Sequence, residues 1–471
     1  MGLDFGRFEL EVAWKQVEAG GKGWYTLCMH IQSLRITRYK SFKVSVTIPL
    51  SKNFNVLIGP NNGGKTNIID AIDFLFNPEK KPARLHDPEA DLELTLALGD
   101  EEQKRFTCTP SISVRGNEMS VHCFQNGTEE MGAAFRQYSA GKVKVLFYND
   151  FSNFSQIQKD YRILQRTYPE AEVRFKSLLR QYFPEVHSVE KIVDVELLSQ
   201  ANVGTTRSVP IERMGSGFRR IFVILLYALH PDYPIVMIDE PEIHLHPALI
   251  KKLLKALMSQ TTNQIIATSH SPLMIKASNL HEVYRVLKNE QGSHVYSMSI
   301  DHRSIDRKRL VQELNADNLE MFFADKVLVV EGVSDRILMR GLIDRFYTGT
   351  DEIKVIYTHG KSNIDVYIDL MSVFHIPYVV MLDLDALPAL ADQYHLQTDR
   401  IGARGQRGMI EALRERHIYV LDNGTIERNY PRAYQRKDSK PLSALYAAAN
   451  ITPQEYRSPS MRNLREIIEA L

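Results

Sequence analysis

Apolar positions along this chain switch repeatedly between two periods. Val44, Val46, Ile48 and Leu50 alternate with polar neighbours, which predicts a half-buried strand with all four on the core side. Val56 to Ile58 is a short unbroken apolar run, as are Ile235 to Ile238, Ile265 to Ala267, Val327 to Val330, 353–357, 377–382 and Ile418 to Leu421. Runs of that length predict strands buried on both faces. Between them, Ile68, Ile69, Ile72, Leu75 and Phe76 recur at helical spacing, and further helices are predicted to begin near Phe218 and Ile337. Buried strands alternating with helices predict parallel α/β sheets. The interval from about 85 to 200 reads as a short insert, with strand-like LELTLAL and VKVLFYN and a charged, helical part over about 155–200.

The residues just past the strand ends carry the chemistry. Gly59, Gly64, Lys65 and Thr66 match G-x-x-x-x-G-K-S/T between a strand and a helix, the setting this motif requires. Asn61, Asn62, Gly63 and Asn67 complete the candidate ATP-binding set. Loop N–H groups and the helix N-terminus favour phosphate, Lys65 reaches the β- and γ-phosphates, and the Thr66 hydroxyl suits Mg²⁺. Asp239 and Glu240 close the strand at 235–238, the edge where open α/β sheets bind ligands. Asp239 would hold the Mg²⁺ through water, and Glu240 would polarise the attacking water. His270, just past 265–267, is a candidate γ-phosphate sensor. Gly215, Ser216 and Gly217 open a helix, which makes an anion-binding end.

In that order, the four motifs resemble the ABC-type ATPases of the RecF/SMC/Rad50-like branch over residues 30–300. The resemblance implies ATP sandwiched between two protomers, with Ser216 and Gly217 of one capping ATP held by Lys65 of the other. A homodimer or higher oligomer through the ATPase domains is therefore expected. No long heptad run separates Thr66 from Ser216, so no coiled-coil arm is expected.

The second half of the chain concentrates acids. Glu331 and Gly332 follow the run at 327–330, Asp335 comes four residues after Glu331, and VVMLDLDALPAL carries Asp383 and Asp385. If the strand continued through Asp385, both aspartates would face one side. Ionising both would be costly, and a divalent cation removes that conflict. The plainer reading makes Asp385 a helix cap and Asp383 half of a surface ion pair. Glu-Gly followed by Asp-x-Asp resembles the TOPRIM domain of topoisomerases, primases and some nucleases. An ABC-type ATPase followed by FFADKVLVVEG and TOPRIM resembles the OLD (overcoming lysogenization defect) family of nucleases and the similar Gabija-type and retron-associated nucleases.

That resemblance implies two Mg²⁺ or Mn²⁺ ions and phosphodiester cleavage of DNA. By it, Glu331 and Asp335 match the first acidic pair, with Glu331 also catalytic, and Asp383 and Asp385 match the Asp-x-Asp. Glu427 matches a late metal-binding glutamate and Lys440 a catalytic lysine; Asp422 and Lys437 compete for those two roles. Lys440 would stabilise charge on the scissile phosphate. Arg400, Arg404, Arg407, Arg414, Arg416, Arg428, Arg432 and Arg436 could track a DNA backbone, although interspersed Asp399, Glu411, Glu415 and Asp438 also describe a mixed solvated surface.

Composition narrows the setting. A length of 471 residues predicts two or three domains, and a net charge of +1 gives no polycation signature. The three cysteines, Cys28, Cys108 and Cys123, form no C-x-x-C pair, so neither zinc nor a disulfide framework is expected and a reducing cytoplasm fits. No apolar run nears the ~18 residues that span a membrane. Residues 1–28 hold both tryptophans, Trp14 and Trp24, lack a signal-peptide core, and read either as an appended N-terminal extension or as a natural strand or helix docking on the first domain. The expected order is 1–28 extension, 29–320 ABC-type ATPase domain and 321–471 TOPRIM nuclease domain. The expected function is an ATP-binding and ATP-hydrolysing, metal-dependent DNA endonuclease, with anti-phage defence implied by the resemblance alone. The family also implies a partner, either a helicase or a retron reverse transcriptase with its DNA. The alternative is an ATP-driven DNA-binding or sensor module whose TOPRIM domain is structural.

Overall fold

The computed structural model describes residues 29–471 except 78–88, 107–108, 116–117, 125–128, 185, 190–193, 199–205, 301–308, 310–312, 316, 359, 361–362, 397–402 and 436–438. The 1–28 extension and Lys437 lie outside the described residues. The chain is an α/β protein with a P-loop ATPase half and a C-terminal TOPRIM half.

The nucleotide half is organised by a six-stranded sheet. Its spatial order is Gly292–Tyr296, Val283–Asn289, Phe54–Ile58, Gln264–Ser269, Ile235–Ile238 and Val143–Leu146. All neighbours pair parallel except the hairpin 283–296, which adds an antiparallel edge. Both faces of the central strands are buried, and alternation still sorts them. Val56, Ile58, Val236 and Ile238 join one core with the helix Ser216–Ala228. Leu57, Ile235 and Met237 join another with the helix Lys65–Phe76. A parallel strand covered on both faces has no need of polar residues until it ends.

A second, antiparallel sheet covers that helix. It runs Val46–Pro49, His30–Thr37, Asp91–Ala97, Thr109–Arg115 and Glu118–Phe124. The stretch read as an insert is therefore built into both sheets: 91–124 extends the antiparallel one and 143–146 forms the edge of the parallel one. The helical part ends at Tyr182, and strands Val186–Val189 and Asp194–Leu198 follow in a small sheet with Thr206–Pro210. Ile48 and Leu50 are buried as expected, but Val44 precedes the strand and is 42% exposed. Gln264 joins the two sheets. Buried at the start of its strand, it accepts from Ile31 N at 2.8 Å and donates to Ile31 O and Ser51 O, each at 2.8 Å.

The TOPRIM half is a four-stranded parallel sheet in the order Ile353–Tyr357, Lys326–Val330, Tyr378–Leu382 and Ile418–Val420. Val327, Val329, Val380 and Leu382 belong to the same core as the ATPase strands, so the two halves share buried apolar surface. The opposite faces, with Leu328, Val330, Val379 and Met381, pack on the helices Val333–Phe346 and Lys440–Asn450. Those helices meet closely at Gly341, where an added Cβ would lie 2.6 Å from the Ala448 Cβ. Among the described residues, no helix is long and apolar enough to cross a membrane.

Replacing Gln264 by Leu keeps roughly the volume but strands three buried backbone groups. The expected loss is about 2–4 kcal/mol of stability, read as a lower urea midpoint at unchanged slope. An unchanged midpoint would show that the two sheets do not depend on this amide.

Candidate functional site

The first cluster forms where the strand Phe54–Ile58 turns into the helix Lys65–Phe76. Gly59 has φ +136°, and a Cβ there would lie 2.2 Å from Val286 O; Gly63 faces the same carbonyl at 2.7 Å. Only glycine lets the loop lie this close to the neighbouring strand. Lys65 folds back and donates to Gly59 O and Pro60 O, both at 2.9 Å. Burial pulls its ammonium down to about 8, against the opposing fields of Glu240, Asp239 and Glu242. It remains mostly charged at neutral pH. Asn61, Asn62, Gly63, Gly64, Lys65, Thr66, Asn67, Asp239, Glu240 and His270 line one polar cavity of about 190 Å³.

Asp239 Oδ1 accepts from the Thr268 hydroxyl at 2.6 Å, and Thr268 Oγ1 accepts in turn from Glu240 N at 3.1 Å. Glu240 has φ +50°, unfavourable for a side chain of this kind, and its carboxylate lies 3.2 Å from His270 Nε2. Burial and the Lys65 ammonium lower the His270 pKa, so the ring is mostly neutral at pH 7. Two side chains unmarked by any motif hold this turn. Arg220, almost fully buried, donates to Pro241 O at 3.1 Å, Asp239 O at 3.2 Å and also Glu240 O. Glu242 accepts from Ser269 Oγ at 2.6 Å and His270 N at 2.8 Å, which fixes the histidine backbone. An arginine pair, Arg219 and Arg220, one turn into a largely apolar helix was the available signal for Arg220. Glu242 had none beyond its nearness to Glu240.

Ser216 and Gly217 start the helix that carries Arg220, slightly earlier than the Phe218 start read from the apolar pattern. Ser216 is exposed, and neither residue lines the Lys65 cavity.

The second cluster sits at the C-terminal edge of the TOPRIM sheet. Glu331 follows the strand Lys326–Val330, and Asp335 occupies the first turn of the next helix, accepting from Gly332 N at 2.9 Å. The strand 378–382 ends at Leu382, so Asp383 and Asp385 are not alternate positions of one strand: Asp383 caps a short 3₁₀ turn that contains Asp385. A turn still brings them within one electrostatic field. Burial, then Asp335, Glu331, Glu427 and Asp385, push the Asp383 carboxyl up to about 7. Burial and the fields of Glu331 and Glu427 push Asp335 up to about 6, despite the Gly332 hydrogen bond and Lys440. Lys440 Nζ lies 3.0 Å from Glu427 Oε1. Burial raises the Glu427 pKa, but hydrogen bonds from Thr425 and Lys440 outweigh it and hold the group below its ordinary value.

Asp422, the competitor of Glu427, is engaged elsewhere, by Arg462 at 2.5 Å and Asn463 at 2.7 Å. Among the described residues, no three acid, histidine or cysteine side chains already close into a metal cage. The acids share a field, and their oxygen donors suit hard divalent cations. Of the basic residues read as a DNA track, Arg414 pairs with Glu466 at 2.7 Å. Arg400 and Arg436 lie outside the described residues.

Comparison with known proteins finds family models that match stretches of both halves. A family model described as an AAA ATPase domain matches residues 29–161. One described as "AAA domain, putative AbiEii toxin, Type IV TA system" matches 128–276. A third, the overcoming lysogenization defect protein-like TOPRIM domain, matches 322–385. The chain is similar to an OLD nuclease of Thermus scotoductus, at 21% identity, with 76% of this chain and 82% of that protein covered. It is similar to the endonuclease GajA of Bacillus cereus at 23% identity over 40% of this chain, and spans 33% of that protein's length. An SMC head solved with the C-terminal winged-helix domain of ScpA matches at TM-score 0.43 and 17% identity, over 58% of this chain and 99% of that one.

Asp383 also makes a stability prediction. Its folded-state pKa of about 7 lies above the ordinary 3.8, so the folded protein holds the proton more tightly than the unfolded chain does. Metal-free protein should therefore lose stability as pH rises through that window, and a divalent cation should restore it. Asp383→Asn should flatten this slope, raise the metal-free melting temperature at pH 7.5 and remove the gain on adding Mg²⁺ or Mn²⁺. Calorimetry with chelator and with metal reads all three, at roughly 2–4 °C per kcal/mol for a domain of this size. An unchanged metal response would separate Asp383 from cation binding.

Proposed function

We propose that this chain, a member of the OLD family of ATPase–TOPRIM nucleases, cleaves DNA at the edge formed by Glu331, Asp335, Asp383 and Asp385 and uses ATP at the Lys65 loop. One observation carries the reading: two ionisable clusters, each past the ends of buried parallel strands, lie in one chain. The first pairs a phosphate-loop lysine with Asp239, Glu240 and His270. The second gathers acids whose mutual repulsion, added to burial, raises Asp383 and Asp335, with Lys440 beside them.

At the ATP site, the 59–66 loop presents N–H groups and Lys65 to phosphate oxygens. Thr66 and Asp239 would hold Mg²⁺, which supplies charge neutralisation when bound. Glu240 accepts the proton of the attacking water, and neutral His270 donates toward the γ-phosphate. Arg220 and Glu242 are positioning residues: one fixes the Asp239–Pro241 carbonyls, the other the His270 backbone. Exposed Ser216 and half-buried Gly217 would complete the site of a second copy, which makes the working unit a homodimer or larger.

At the TOPRIM edge, Glu331, Asp335, Asp383 and Asp385, with Glu427 nearby, would hold Mg²⁺ or Mn²⁺. Those ions supply water activation and leaving-group stabilisation. Lys440 donates to a non-bridging phosphate oxygen, exchanging its Glu427 partner for substrate. Exposed Arg407 on the helix Ala403–Arg414 would orient the DNA backbone beside it. Similarity to GajA and the OLD nucleases supports a role in defence against phage, and the partner this reading admits is a helicase or a retron reverse transcriptase with its DNA.

Incubating supercoiled plasmid with Mg²⁺ or Mn²⁺, with and without ATP, tests the reading. Wild type should cut only with metal, and Asp383→Ala should cut at least ~100-fold more slowly, the scale expected when an electrostatic catalytic group is removed. Lys65→Ala should abolish ATP hydrolysis. Cutting that survives both chelator and Asp383→Ala would sink the assignment.

A further inference from the structure

We infer that Arg285 is a positioning residue that transmits the state of the ATP loop to Glu331 and Asp383. The inference rests on the reading of those acids as the nuclease site.

Arg285 lies on the strand Val283–Asn289 and pairs in parallel register with Ile58, the residue before Gly59. The next residue, Val286, supplies the carbonyl against which Gly59 and Gly63 are packed. On the same hairpin, Ser293 Oγ donates to Gly63 O at 2.7 Å. The ATP loop therefore rests directly on this hairpin.

The Arg285 side chain points the other way, into the TOPRIM half. It is 3% exposed, and its guanidinium donates to four main-chain carbonyls: Phe322 O at 3.1 Å, Ala324 O at 3.3 Å, Phe374 O at 3.1 Å and His375 O at 2.6 Å. Tyr296, directly opposite Arg285 in the hairpin register, stacks on the His375 ring with centroids 4.1 Å apart.

Those four carbonyls stand at the entrances of two strands. Ala324 precedes Lys326–Val330, which leads into Glu331, and His375 precedes Tyr378–Leu382, which leads into Asp383. The two strands are parallel neighbours, and Val327 N donates to Pro377 O at 2.9 Å beside the clamp. A five-residue strand is a rod of about 17 Å with all its backbone bonds made. A shift of the ATP loop on the hairpin would push both rods from one end and move both acids at the other.

Simple adhesion between the halves would not need a buried charge, because apolar residues fill that role at least as well. A planar five-donor fork does what they cannot: it holds two separate chain segments in a fixed mutual position. Lysine has the charge but no fork.

The test compares wild type with Arg285→Lys and His375→Asn. The second variant removes the Tyr296 stack at a residue whose φ of +49° asparagine tolerates. Cleavage is measured with and without ATP, and backbone hydrogen exchange at 326–330 and 378–382 is followed on adding ATP. In wild type, ATP should change both. In the variants, the ATP-dependent change in cleavage should fall to within about twofold of unity, below the ~5-fold that marks real coupling, while ATP hydrolysis and ATP-free cleavage stay near wild type. Wild-type strands whose exchange ignores ATP, or variants that keep the full ATP response, would overturn the inference. A wild type that cuts nothing would count against the nuclease reading alone, and hydrogen exchange would still decide the clamp. If Arg285→Lys fails to fold, His375→Asn decides.

Discussion

A strand buried on both faces can carry polar chemistry only where it ends, and this constraint places both candidate sites. Val56–Ile58, Ile235–Ile238 and Gln264–Ser269 in one half, and Lys326–Val330 and Tyr378–Leu382 in the other, are apolar or hydrogen-bonded throughout. The phosphate loop, Asp239, Glu240, His270, Glu331 and Asp383 all follow the last residues of such strands. Sheet polarity then gathers them, because parallel strands present all their C-terminal ends to one edge.

Two buried arginines recur as the means of holding these edges in register. Arg220 grips the carbonyls of the Asp239–Pro241 turn, and Arg285 grips those at the entrances of the TOPRIM strands. Burial lowers both side chains to about 10, so each stays charged in the physiological range. Each is satisfied by backbone oxygens, which cannot titrate. The resulting brackets should be insensitive to pH across the range in which the acid cluster is most sensitive.

Much of this was legible from residue order. The Gly-Lys-Thr loop, the Asp-Glu strand end, the Glu-Gly and the Asp-x-Asp follow apolar runs whose lengths and flanks already specify strands. Those runs specified the α/β class, and the resemblance carried by the motifs at their ends implied the two-part ATPase–TOPRIM organisation. Three features were not legible, for physical reasons. Asp383 and Asp385 share a field through a 3₁₀ turn, and periodicity cannot distinguish a strand that continues from one that stops. The 91–146 segment reads as an insert because sequence distance conceals that its strands complete sheets begun elsewhere. Gln264, Arg220, Glu242 and Arg285 act by long-range contacts to backbone atoms, which leave no mark on local pattern.

The close approach at Gly341 has a bearing on Lys440. The helix Lys440–Asn450 carries that lysine at its first position and meets the helix of Asp335 about two turns later, at Ala448, with only the Ala448 methyl between them. Arg345 pins the same end through Ala448 O and Ile451 O, both at 2.6 Å. Rotamer changes at the crossing therefore cannot alter the helix spacing; only a change of residue can. A single methyl group there would act as a spacer, tilting the helix about its far end and moving the ammonium relative to Glu427. The reach of the cation is thus set by the thickness of a contact about 12 Å away along the helix, at 1.5 Å per residue.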